Sequence, residues 1–276
     1  MSIVLPSLIG ANKPARVLPP IANQYSVSFD GSDDRMTVGT GVNPTGSATL
    51  SFWFRRTGSV TGFGGTLIGT NNIFVYGYDN TFSINLKNGT DLTLESYNDQ
   101  SGSYTNPVAS NIINTNTWYH LALVLTFTDS SNSSGQFYLN GNTVGSAIAL
   151  SGRTLAGLNE GFSVAMYPFN FGAGTYNYPF PGEVDELSIF NSALSASNIT
   201  AIYGRGVPND ISELNPVGWW RMGDGSDGSG NADGTVVGGL PQIYNVAEDG
   251  SGNRITGIDG SLTNIASPNG IVSDVP

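Results

Sequence analysis

The sequence predicts an all-β protein assembled from many short antiparallel strands. Three observations carry this. Glycine occurs 37 times in 276 residues, and it weakens helix interiors while favouring tight turns. Apolar and polar residues alternate over short runs, as Tyr25, Val27 and Phe29 do against Ser26 and Ser28, which is the period of a half-buried strand. Asn140-Gly141 directly follows such a run and marks a two-residue hairpin turn.

Residues 1–23 read as an extended arm. Pro6, Pro14, Pro19 and Pro20 exclude a helix or a central strand there. Its apolar residues, Leu18 among them, have no alternating period and call for burial on the chain's own domain or on a neighbouring subunit. Strands are predicted over residues 25–29, 35–38, 48–55, 67–68, 73–78, 82–86, 92–95, 118–127, 136–139, 162–167 and 183–190. One short helix is predicted over 196–203, with Ser195 as N-cap and Gly204 as its stop. Residues 24–206 form the main domain. Residues 207–276 form an irregular Gly/Asp-rich segment, in which Trp219-Trp220-Arg221-Met222 suggests one more strand and Asp-Gly-Ser-Gly-Asn occurs at 227–231 and again at 249–253.

Charge narrows the function. Only 11% of residues are charged, and the formal net charge is −11. Ten basic residues are too few for a stripe that tracks a phosphate backbone, so nucleic acid is not an expected partner. The absence of cysteine excludes disulfides and thiolate metal sites. No apolar run reaches the length of a membrane helix. The first ten residues lack a basic region and carry Pro6, so no secretory signal is expected.

Five segments in order resemble the LamG-like, pentraxin-related branch of the concanavalin A-like lectin/glucanase folds. They are Tyr25-Ser-Val-Ser-Phe-Asp-Gly-Ser-Asp-Asp34, Ala48-Thr-Leu-Ser-Phe-Trp-Phe54, Thr117-Trp-Tyr-His-Leu-Ala-Leu123, Gln136-Phe-Tyr-Leu-Asn-Gly141 and Gly182-Glu-Val-Asp-Glu-Leu-Ser-Ile-Phe-Asn191. The resemblance implies a two-sheet antiparallel jelly-roll sandwich. It also implies a structural Ca²⁺, for which Asp30 and Asp185 are the positions available, backbone carbonyls supplying the remaining ligands. Turn capping by Asp30 and backbone hydrogen bonding by Asp185 explain the same residues without an ion. The segment from Trp219 to Gly225, together with the ending Ile271-Val-Ser-Asp-Val-Pro276, resembles LamG-domain structural proteins of marine tailed phages. That implies a virion location and other virion proteins as partners.

Residue chemistry argues against catalysis. Glycosidases of this fold class need carboxylates facing one cleft. Glu183 and Asp185 begin such a pattern, but position 187 is Leu and strand alternation points Glu186 to the other face. The same alternation groups Asp185 with Leu187 and Ile189 on the core side. His120 is the only histidine, sits mid-strand, and is accompanied by no Gly-x-Ser-x-Gly elbow. Tyr167, Tyr176 and Tyr178 crowd a Gly/Asn/Pro-rich stretch, where exposed rings could stack on a glycan, contact a protein, or close one end of the sandwich. The expected function is a non-enzymatic virion structural protein, self-associating or attaching to particles through residues 1–23. The alternative is an extracellular carbohydrate-binding module that recognises cell-surface glycans.

Overall fold

The computed structural model describes residues 17–20, 25–32, 34–38, 46–62, 64–71, 81–98, 102–128, 132–150, 162–170, 175–221, 234–235, 246–248 and 262–264. Chain order begins β1 (Tyr25–Asp30), β2 (Arg35–Val38), β3 (Ala48–Arg56), β4 (Thr66–Asn71), β5 (Thr81–Lys87), β6 (Asp91–Asn98) and β7 (Gly102–Ala109). It continues β8 (Trp118–Phe127), β9 (Ser133–Leu139), β10 (Asn142–Ala149), β11 (Phe162–Val164), β12 (Tyr167–Asn170), β13 (Thr175–Asn177) and β14 (Pro181–Phe190). After helix α1 (Ala196–Tyr203) come β15 (Gly218–Trp220), β16 (Gly234–Thr235), β17 (Val246–Glu248) and β18 (Leu262–Asn264).

These strands form the antiparallel sandwich that the sequence predicts. One sheet runs β10-β9-β8-β3-β14-β1-β18, with β15 on the far half of β14 and β16 beyond it. The other runs β17-β2-β11-β4-β5-β6-β7, and β12-β13 make a separate ribbon. Three strands that follow α1, namely β18, β17 and β15, thus join the sheets at β1, β2 and β14. The expected strand over 73–78 and the repeated Asp-Gly-Ser-Gly-Asn segments lie outside the described residues.

Alternation builds the core. Leu50, Phe52 and Phe54 of β3, Leu121, Leu123 and Leu125 of β8, and Val184, Leu187 and Ile189 of β14 face inward. They meet Met36, Ile68, Ile84, Leu86, Leu92, Leu94 and Val164 of the facing sheet. The larger sheet also has a covered back. Ala122, Val124, Tyr138, Phe190 and Trp219 pack there with Leu194, Ile199, Ile202 and Ile211. This is why β14 is buried along its whole length, on both faces.

Local chemistry places α1 on that back face. The Ser195 hydroxyl accepts from the Asn198 N–H at 3.2 Å, capping the first turn. Gly204 ends the helix at φ 57°, and a Cβ there would lie 2.0 Å from Asn209 Nδ2. That amide donates to the Ala201 carbonyl at 2.8 Å, satisfying a carbonyl in the last turn of the helix.

The end of the arm is tied down by the same layer. Leu18 is buried among the α1 residues. Pro20 bridges Asn209, and the Asp210 N–H donates to the Pro19 carbonyl at 2.7 Å. Of the two destinations open to the arm's apolar residues, Leu18 takes the chain's own domain. Truncation of Leu18→Ala should therefore lower the unfolding free energy by about 2–4 kcal/mol with the β circular-dichroism spectrum intact. An unchanged urea midpoint would mean that residues 17–20 do not belong to the back layer in solution.

Candidate functional site

The loop end of the sandwich gathers around Pro181. Asp30 pairs with it across β1 and β14. The Thr57 and Gly58 N–H groups both donate to its carbonyl, at 3.1 and 3.4 Å. Gly31 and Gly58 press against its ring so closely that a Cβ on either would come within 2.6 and 2.7 Å of Pro181 Cβ. Only glycine fits at those two points.

Tyr178 stands at this end. Its carbonyl accepts from the Gly65 and Thr66 N–H groups at 3.3 and 2.9 Å. Its φ is +58°, a left-handed conformation that is uncommon for a bulky residue. Its side chain is 44% exposed, and its ring centroid lies 6.0 Å from that of Tyr167, inclined by 57°. Within β4 and β5 the buried Thr66 hydroxyl donates to Asn85 Oδ1 at 2.7 Å, and Asn85 Nδ2 donates to the Ser83 hydroxyl at 2.8 Å. Tyr178 and Tyr167 are thus brought together. Tyr176 is placed by its backbone opposite Pro168 in the β12-β13 ribbon.

The structure does not bring the two aspartates together. Asp30 ends β1, exposed, with Oδ1 accepting from the Ser32 N–H at 2.7 Å. Its own N–H donates to Asp34 Oδ2 at 3.0 Å, so it folds its own turn. Asp185 is four residues beyond Pro181 on β14, roughly 13 Å away along the strand at the usual rise. Among the described residues no three His, Asp or Glu side chains are placed to hold a metal ion.

The expected facing of the β14 carboxylates is corrected. Trp53 lies opposite Asp185, but Ser51 lies opposite Ser188, so one extra residue sits on β14. Glu186 takes it up at φ +49°. This bulge breaks the alternation: Asp185 shares the back face with Trp53, while Val184 and Leu187 face the core.

Each carboxylate on that back face is already engaged. Glu183 accepts from Arg55 Nε and Nη2 at 2.5 and 2.9 Å, a bidentate pair. Asp185 Oδ1 accepts from the Glu186 N–H at 2.8 Å. Glu186 accepts from Trp219 Nε1 at 2.6 Å and faces Arg221 Nε at 3.5 Å. All three are buried.

His120 has a partner that sequence reasoning did not find. Its Nε2 lies 2.8 Å from the Ser51 hydroxyl, because Ser51 and His120 sit on adjacent strands two residues out of register and so on the same face. The Trp53 and Tyr203 rings flank it at 5.3 and 6.1 Å. The pair borders a cavity of about 10 Å³ that Glu186 also lines and that Ile202, Pro208 and Ile211 close. That space is the size of a single water, so a Ser–His arrangement exists with no room for a substrate.

Two packed antiparallel sheets, one of them with a covered back face, define a jelly-roll β module. Residues 30–200 match the sequence pattern of the concanavalin A-like lectin/glucanases superfamily, laminin G type, and the chain belongs to that family. No curated protein matches the chain in sequence. Among solved structures, a Bacteroides ovatus protein provisionally assigned as carbohydrate-binding is 19% identical, with a TM-score of 0.52 over 86% of this chain and 58% of that one. A heptameric SAP-like pentraxin from Limulus polyphemus is 15% identical, with a TM-score of 0.48 over 66% of this chain and 82% of that one. The CBM40 of Ruminococcus gnavus IT-sialidase, solved with α2,3 sialyllactose, is 14% identical, with a TM-score of 0.45 over 67% of this chain and 98% of that one.

Burial has a pH signature. It lowers the His120 pKa from 6.5 to about 3, since the charged ring has lost its water. The unfolded chain therefore takes up this proton below pH 6.5, whereas the folded chain refuses it until about pH 3. The stability from a neutral His120 is complete above 6.5 and drains away as pH falls towards 3. Between pH 7 and pH 5, wild type should lose about 2 kcal/mol more than His120→Gln, read from urea midpoints at each pH. Parallel midpoints would show that the ring is not buried neutral.

Proposed function

We propose that the chain is a non-enzymatic carbohydrate-binding module that holds a sugar against Tyr178 and Tyr167. The observation that carries this is Tyr178 itself. A backbone in the left-handed region disfavours a bulky residue by about 1–2 kcal/mol, and this one displays its ring to solvent. Among the described residues only Val17 and Tyr178 are large, apolar and exposed. An exposed aromatic face suits a sugar, whose C–H faces pack on a ring.

The family holds both lectins and glucanases, and the carboxylate arrangement favours the first. Glu183 is neutralised by Arg55, and Glu186 is spent on Trp219 and Arg221, so neither is poised as a general acid or nucleophile. The assignment of the Bacteroides ovatus relative to carbohydrate binding points the same way. The virion reading rests on the last sixty residues, most of which lie outside the described residues. Of the two functions considered from sequence, carbohydrate binding is the better supported.

Tyr178→Gly separates binding from folding. Glycine relieves the left-handed strain but removes the ring, so thermal stability should hold or rise while affinity for glycan-array hits falls about tenfold. Retained affinity would remove Tyr178 from the site, and a loss of stability would mean that the ring serves packing.

A further inference from the structure

The outer face of the smaller sheet is covered, yet its side chains are polar. Ser163 of β11, Gly69 of β4, Ser83 of β5 and Glu95 of β6 form one cross-strand row. Thr66, Asn85 and Thr93 form another. These residues alternate with Val164, Ile68, Ile84, Leu86, Leu92 and Leu94, which face the core. Thr66, Ser83, Asn85, Thr93 and Ser163 are nonetheless buried, each at 2% exposure or less. Among the described residues Ser163 Oγ has no hydrogen-bond partner. An outer sheet face of this composition ordinarily meets water.

The β12-β13 ribbon lies over part of it. β12 runs against β4. β4 is paired along both edges, with β11 and β5, and gives Ile68 to the core, so its outer face is the side left for β12. The feet of the ribbon are fixed. The Ala165 N–H donates to the Leu67 carbonyl at 3.0 Å, and the Ala165 carbonyl accepts from the Phe180 N–H at 2.8 Å. The Tyr178 carbonyl accepts from Gly65 and Thr66. Ala165 and Tyr178 both take left-handed backbone, φ +67° and +58°, at the points where the chain leaves the sheet and returns. Between the feet, β12 and β13 pair with each other and not with the sheet below. A two-stranded ribbon by itself is marginally stable in water.

The two covered faces of the molecule differ in what holds the cover down. The back of the larger sheet interleaves its polar groups with Ala122, Val124, Tyr138, Phe190 and Trp219, on which α1 packs. The two rows on β11, β4, β5 and β6 offer no apolar side chain. Little apolar area therefore seats the ribbon, and segments seated in this way open well below the free energy of global unfolding. We propose that the β12-β13 ribbon is a movable cover, hung from fixed feet at Ala165 and Tyr178, that opens the polar face of the smaller sheet to solvent. Tyr167 rides on the ribbon while Tyr178 stays with the sheet, so a ligand that bridges the two rings holds the cover shut; this last step rests on the glycan reading.

The chain has no cysteine, so single introduced thiols report the opening. Ser163→Cys and Ser83→Cys are compared with Ala122→Cys, whose side chain packs in the α1 layer. In the full chain the first two should react with an aromatic disulfide about a hundredfold faster than the third. Low urea should barely change their rates, whereas Ala122→Cys should follow global unfolding. Equal rates with the same urea dependence overturn the proposal. Hydrogen exchange of wild type identifies the cover: the β12 and β13 amides should open with the thiols. If those amides keep global protection while the thiols react, another segment covers the face and the proposal falls. Should a cysteine variant fail to fold, that exchange decides alone. A bound glycan should slow both thiols. Fast labelling that no bound glycan slows keeps the cover and removes the Tyr167–Tyr178 pair as the sugar site.

Discussion

β3 and β14 lie side by side with both faces covered, and the rest of the molecule is arranged around that constraint. One face supplies half of the sandwich core. The other carries polar side chains that water cannot reach, so every group on it needs an internal partner or costs stability. Ser51 meets His120, Arg55 meets Glu183, and Glu186 meets Trp219. Thr49 donates to the Ser192 carbonyl at 2.8 Å and accepts from the Leu194 N–H at 3.0 Å, tying the sheet to the approach to α1. Helix α1, Leu18 and Ile211 then exclude solvent from most of that face, the Arg55 side chain staying 24% exposed. A face consumed in this way is closed to ligands, which leaves recognition to the loops.

The parts legible in the sequence are those set by local pattern. Alternation located β1, β3 and β8, because each has at least one face packed on the core. Ser195 and Gly204 located α1, because capping acts within a few residues. What was illegible depends on register. The extra residue at Glu186 reverses the facing of β14, and no composition signal announces it. The Ser51–His120 contact spans 69 residues and follows only from the β3–β8 pairing. β7 and β10 escaped because their sequences, GSYTNPVA and NTVGSAIA, do not alternate cleanly. Edge strands pack on fewer neighbours and are less constrained to alternate.

The candidate site shows the same division. Tyr167, Tyr176 and Tyr178 were visible as a cluster of rings in a loop-like stretch, and two of those rings do meet. The feature that sets Tyr178 apart is its left-handed backbone with a doubly bonded carbonyl, which no sequence pattern announces. Arg56 was equally hidden, since two adjacent arginines at a strand end look alike. Strand alternation sends Arg55 to the back face, where Glu183 waits, and Arg56 towards the sandwich end, where no carboxylate among the described residues pairs with it.

That divergence has an energetic consequence for recognition. The back face spends its charges on one another, so they tune stability and contribute nothing to an external partner. At the loop end the strain is left in place. Tyr178 keeps an unfavourable φ, Arg56 keeps an orphaned Nε, and Gly31 and Gly58 keep the contacts around Pro181 too tight for any side chain. Strained and unsatisfied groups persist only where the surrounding structure over-determines them, and the rigid sandwich beneath provides that support. A ligand that stacks on the Tyr178 ring would meet a group already fixed in place, and little binding free energy would go into ordering it. The same rigidity limits the site to ligands that match its spacing, which makes selectivity, rather than strength, the property that this end of the fold is built to supply.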